Sequence, residues 1–141
     1  MITGEGGTRT VIVERKFAAP AEKLWRALTQ PHLIEEWLMK TDFKPIEGHK
    51  FTLRKDPTPE ISVVIDGEVR AVEENKTLSY TWSAYGTETV VTFTLTPVDG
   101  GTVLRLEQAG FSADNKAAIK GANASWPTFL TELEKLLTRI D

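Results

Sequence analysis

A chain of 141 residues, 40% of them apolar, has the length of one domain and enough apolar surface to fold around a single core. Seventeen basic and twenty acidic side chains leave a net charge of −3 with both signs interspersed, so no basic stripe is present to track a phosphate backbone and nucleic acid is not an expected partner. The lack of cysteine removes thiol nucleophiles, redox pairs, thiolate metal sites and disulfides, and two histidines, His32 and His49, do not make a multi-imidazole metal centre, so no metal and no cofactor are expected.

No apolar run approaches the roughly eighteen residues of a membrane span. Residues 1–9, with Gly4, Gly6 and Gly7, lack the basic and apolar regions of a signal peptide and are expected to be a flexible lead-in to one domain over 10–141, in a cytoplasmic protein. Thr10 to Phe17 alternates as a strand, with Val11, Val13, Arg15 and Phe17 on one face. Pro20 opens a short helix to residue 29 carrying Leu24, Trp25 and Leu28, and Pro31 ends it; His32 to Leu38 forms a second helical piece. A strand from Lys50 to Lys55 follows and is closed by Pro57 and Pro59. The next runs from Ile61 to Glu73, with Ile61, Val63, Ile65, Val69 and Ala71 inward and a bulge or bend at Gly67.

After the turn Glu74-Asn75-Lys76, strands are predicted over 77–83, with Leu78, Tyr80 and Trp82 on one face, and over 87–96, with Val91, Phe93 and Leu95 aligned. Asp99-Gly100-Gly101 marks a hairpin into a strand over 102–108, whose Leu104, Leu106 and Gln108 point inward. From about Ala113 to Arg139 the pattern is helical. Phe129, Leu130, Leu133, Leu136, Leu137 and Ile140 form its apolar stripe, and Pro127 predicts a kink or a division into two helices near Ser125. The order predicts an α+β fold: a curved antiparallel sheet of about six strands, two short helices after the first strand, and a long C-terminal helix of roughly 35–40 Å across the sheet.

The stretch Arg15-Lys16-Phe17-Ala18-Ala19-Pro20, followed by Leu24-Trp25, Ala27-Leu28-Thr29 and Trp37, resembles the opening of the activator of 90-kDa heat-shock-protein ATPase-like family, within the START-like, or birch-pollen-allergen-like, superfamily. The resemblance continues through Gly67-Glu68-Val69, Leu78-Ser79-Tyr80-Thr81-Trp82, Gly101-Thr102 with Leu104 and Leu106, Gly110-Phe111, and Ser125-Trp126 leading into Leu130, Leu133 and Leu137, and so covers residues 10 to 140. It implies a helix-grip fold, in which the curved sheet cradles the last helix and often leaves a deep apolar cavity. Members of the superfamily bind lipids, hormones and polyketides, and some catalyse cyclisation, so the scaffold does not carry a reaction with it. Two departures matter. Ser125-Trp126, followed by Pro127, stands where the family often has Gly-Trp. The co-chaperones that named the family carry a further chaperone-contacting N-terminal domain not seen here, so chaperone activation is not expected.

Trp37, Phe51, Val69, Tyr80, Trp82, Phe93, Trp126, Phe129, Leu130 and Leu133 all approach the space between sheet and helix. They either fill it as ordinary core or line a pocket. Arg15, Tyr80 and Gln108 are the polar groups on the inward faces. A buried Arg15 without a protein partner would point to an anionic ligand. Glu68, Arg70, Arg105 and Glu107 are read as solvent-facing cross-strand charge pairs, the two histidines as surface residues and Ser125 as a helix cap.

The leading expectation is a monomer or weak dimer that binds a small apolar or amphipathic molecule, such as a lipid, polyketide or aromatic metabolite, in that space. No catalytic residue is assigned. One alternative is a protein-interaction module, a co-chaperone-like regulator of an ATPase docking through a patch at Trp37, Leu38, Met39 and Phe43. Another is an enzyme of the cyclase or hydrolase kind using Arg15, Tyr80 or a buried carboxylate to steer protons.

Overall fold

β-branched and apolar residues alternating with polar ones leave one face of each strand to be buried, and the chain meets that requirement with a single antiparallel sheet. The computed structural model describes residues 2–4 and 6–141. Among the described residues, the strands are β1 (Ile2–Thr3), β2 (Thr8–Phe17), β3 (Lys40–Thr41), β4 (Lys50–Thr58), β5 (Ile61–Glu73), β6 (Thr77–Ala84), β7 (Thr87–Val98) and β8 (Gly101–Ser112). The helices are α1 (Ala21–Thr29), α2 (Pro31–Trp37) and α3 (Lys116–Leu137). The strands are ordered β1-β2-β8-β7-β6-β5-β4-β3, and every pairing is antiparallel. This is the α+β helix-grip architecture, with eight strands instead of six. The two additional ones, β1 and β3, are two residues long, too short to carry a readable alternation. β1 lies inside the expected flexible lead-in and pairs Ile2 with Val11 and Thr3 with Thr10; Met1 and Glu5 of that lead-in lie outside the described residues.

Three local expectations are corrected. β4 does not stop before Pro57 but runs to Thr58. The register shifts between Lys55 and Thr58, so Pro57 sits in an irregularity where the ladder does not need its missing N–H. Gly67 is not the bulge in β5; the register shift falls between Val69 and Ala71. Gly67 faces Phe51 on β4, and a Cβ there would lie 2.5 Å from the Phe51 ring and 2.8 Å from the Thr81 carbonyl oxygen, so close approach of an aromatic ring demands the glycine.

The third correction concerns α3, which is one helix through Pro127. Proline deprives the Asn123 carbonyl of its helical donor, but Asn123 is exposed and water can serve it. Burial of Trp126, Leu130, Leu133, Leu136 and Leu137 on the opposite side offsets the cost and holds the helix in register. The helix cap is Asn115, whose side chain accepts from the Ala118 amide at 3.3 Å. Ser125 lies mid-helix.

The backbone of α3 comes closest to β2, α1 and α2. Its large buried residues fill the half of the concave sheet shared with α1 and α2. On the outer face Arg105 meets Glu14 across β2 and β8 at 2.9 Å and Glu107 at 2.7 Å, and Arg70 lies 3.8 Å from Glu68. These pairs are solvent-facing and contribute little to stability. His32 is exposed; His49 is half-buried, with Nε2 3.0 Å from the Asp42 carbonyl oxygen.

Candidate functional site

The first half of α3 carries Ala117, Ala118, Gly121, Ala122 and Ser125 where the second half carries Phe129, Leu130, Leu133 and Leu137. Side chains that short do not reach the sheet. A Cβ built on Gly121 meets no atom within 4 Å. The gap is a half-open cleft of about 550 Å³ between α3 and strands β5 to β8. Its walls include Trp82, Phe111, Trp126, Phe129, Ile65 and Met39, and Tyr85, Thr87 and Asn115 stand at the rim. Among the described residues, none of those lining it carries a charge.

Three polar side chains in the cleft form a hydrogen-bonded chain that ends on a backbone carbonyl. Trp126 Nε1 donates to Gln108 Oε1 at 2.8 Å, Gln108 Nε2 donates to Thr89 Oγ1 at 2.9 Å, and Thr89 Oγ1 donates to the Trp82 carbonyl at 3.1 Å. This chain holds the Trp126 indole in place, with its centroid 5.2 Å from that of Trp82. At the rim Asn115 Nδ2 donates to Thr87 Oγ1 at 3.2 Å. Tyr85 is 85% exposed, at the tip of the β6–β7 hairpin. It has φ 51° and Gly86 has φ 77°, two successive positive values that a tight two-residue hairpin turn of type I′ requires.

Of the residues expected to line the space, Trp82, Gln108, Trp126 and Phe129 are brought together in the cleft. Phe51, Tyr80 and Phe93 are not. With Phe43 they form a closed cluster, with centroids 4.9 Å apart for Phe43–Phe51, 5.1 Å for Phe51–Tyr80 and 6.0 Å for Tyr80–Phe93. Val69, Leu130 and Leu133 are likewise packed inside the core. Trp37 donates from Nε1 to the Ala27 carbonyl at 2.8 Å and packs edge-on against Phe93. Arg15 spans from β2 to α3: Nη1 donates to Thr131 Oγ1 at 3.0 Å and Nη2 to the Pro127 carbonyl at 3.3 Å. Its partners are a hydroxyl and a carbonyl, and it gives no reason to invoke an anionic ligand.

The expected list extends beyond the lining of the cleft because α3 is not the sole cover of the sheet. α2 and the segment to Phe43 fill half of the concavity. The patch proposed for protein docking is buried for the same reason: Trp37, Leu38, Met39 and Phe43 are each at most 7% exposed. Sequence reasoning missed Met39, Ile65, Phe111 and the small residues of α3. The signal was present as the abrupt change from small to large side chains at Trp126.

Burial pushes the Tyr80 phenol well above its ordinary pKa of 10.0, with desolvation the cause. The folded protein therefore keeps this proton while the unfolded chain releases it above pH 10. Stability from Tyr80 is fully present below pH 10 and is lost as pH rises beyond it, by up to about 1.4 kcal/mol per pH unit. Urea unfolding of the wild type and Tyr80→Phe between pH 8 and 11.5 is expected to show the wild type losing stability faster above pH 10. Parallel curves would refute the assignment.

Residues 18–138 match the family described as Activator of Hsp90 ATPase homolog 1-like protein. The chain belongs to that family. No curated protein matches it. Among solved structures, protein MLL2253 from Mesorhizobium loti is 56% identical over 94% of this chain and 99% of its own, with a TM-score of 0.88. DynU16, from the dynemicin biosynthetic locus, is 24% identical over 92% of this chain and 47% of its own, with a TM-score of 0.80. CalU16 from Micromonospora echinospora is 24% identical over 94% and 78%, with a TM-score of 0.79. The last two show a common fold. As a member of the Hsp90 ATPase activator homologue family, this protein thus has the START-like scaffold. None of its helices, among the described residues, is long and apolar enough to cross a membrane.

Proposed function

We propose that this protein binds a small, uncharged, apolar or amphipathic molecule, of the lipid, polyketide or aromatic-metabolite kind, in the cleft between α3 and the sheet. The observation that carries this reading is a cleft of about 550 Å³ walled by aromatic and aliphatic side chains with no charged residue among them. Ordinary ligand sites begin near roughly 300 Å³ and combine an apolar lining with a few polar groups. A molecule entering here exchanges water for indole and phenyl faces without breaking the Trp126–Gln108–Thr89 chain, which is complete without it. Tyr80 and Arg15, the groups considered for proton transfer, do not line the cleft.

The neutral dye N-phenyl-1-naphthylamine, which brightens in apolar surroundings, tests this directly. The wild type is expected to bind it with micromolar affinity. Ala122→Phe, which places a ring in the cleft from a half-buried helical position, is expected to weaken binding at least tenfold while the protein stays folded. No brightening with the wild type, or equal brightening with a folded Ala122→Phe, would refute the proposal.

A further inference from the structure

The cleft shares one wall with a second space. A groove of about 620 Å³ lies between the end of α2, β3, β4 and α3, and Met39 and Phe129 line both it and the cleft. The two spaces differ in chemistry. The cleft has no charged lining residue, whereas the groove carries Lys40, Arg54, Lys55 and Glu132 among others. Met39 is a flexible thioether with three rotatable bonds. Phe129 is half-buried, packed edge-on against Trp126 at 5.7 Å on one side and facing the groove on the other.

From this shared wall we propose that Phe129, with Met39, is the specificity-determining partition of the binding cleft, setting the length of the apolar chain the protein accepts. The inference rests on the proposed binding function and extends it to the shape of the ligand. A molecule that ends at Phe129 meets only uncharged protein groups. One that is longer has to displace the ring and place its far end in the charged groove, where only a polar terminus is well solvated. The accepted class is therefore a neutral apolar molecule of bounded length, and truncating Phe129 converts two separate spaces into one continuous passage.

Displacement of N-phenyl-1-naphthylamine by straight-chain 1-alkanols from six to fourteen carbons measures that length. Each buried methylene strengthens binding about fourfold until the chain reaches the wall, after which the gain stops. In Phe129→Ala the break is expected at least two carbons later. In Phe129→Trp it is expected earlier. Met39→Ala opens the same wall from the other side and is expected to shift the break in the same direction as Phe129→Ala; Phe129→Leu does so by less and serves if the alanine variant fails to fold. An unchanged break in all folded variants overturns the partition while leaving ligand binding in place. Failure of the wild type to bind dye or alcohols overturns the binding function and the partition together.

Discussion

Trp126→Ala is expected to destabilise the protein by about 3–5 kcal/mol, the range for removing a large aromatic from a packed interior. The indole is 2% exposed and meets Trp82, Phe93 and Phe129 with ring centroids 5.2, 6.1 and 5.7 Å away. It is the residue at which the tightly packed half of α3 begins and also a wall of the cleft, so its loss removes packing on one side and leaves the cleft enlarged on the other. The ring and its N–H act separately. Trp126→Phe keeps most of the apolar surface but leaves Gln108 Oε1 without its donor, which is expected to cost about 1–3 kcal/mol. Urea unfolding of the three proteins measures both effects. A loss below 1 kcal/mol for the alanine variant would show that α3 is not anchored there.

Gly101→Ala is expected to cost about 3 kcal/mol or more for a different reason. Gly101 opens β8 against the end of β2, and a Cβ on it would overlap the Phe17 carbonyl oxygen and lie 3.2 Å from the Ala18 Cα. Both neighbours are backbone, so no rotamer change relieves the clash, and the strand pair has to separate. Phe17 and Thr102 face each other at this point, and Thr102 Oγ1 donates to the Ala19 carbonyl at 2.8 Å, so the disturbance reaches the entry to α1. Gly121→Ala is the control. Its Cβ meets nothing within 4 Å, and replacing a helical glycine is expected to stabilise by up to about 1 kcal/mol. Thermal unfolding of the two variants should move in opposite directions, and movement in the same direction would refute the steric account.

Strand period two was legible through the whole middle of the chain because each strand buries one face: Val91, Phe93 and Leu95 on β7 and Leu104, Leu106 and Gln108 on β8 are all buried. The same alternation could not separate Trp82 from Tyr80. Both point inward from β6, two residues apart, yet Tyr80 is sealed under Phe43 and Phe51 while Trp82 lines the cleft. Pro127 misled for a related reason. Local chemistry argues for a break, and the long-range burial of leucines on either side of the next two turns overrides it.

Element order, the inward faces of β7 and β8 and family membership follow from patterns internal to short segments, since periodicity and turn chemistry are properties of neighbours along the chain; Ile61, expected inward on β5, is instead 53% exposed, and Arg70 and Arg105 pair with Glu68 and Glu107 along their own strands. Which inward residues touch a ligand rather than each other does not follow from such patterns. That depends on where α2 and the Met39–Phe43 segment come to rest on the sheet and on how far the small residues of α3 fall short of it. A cavity is the space left between elements distant in sequence, so its location emerges only once those elements pack.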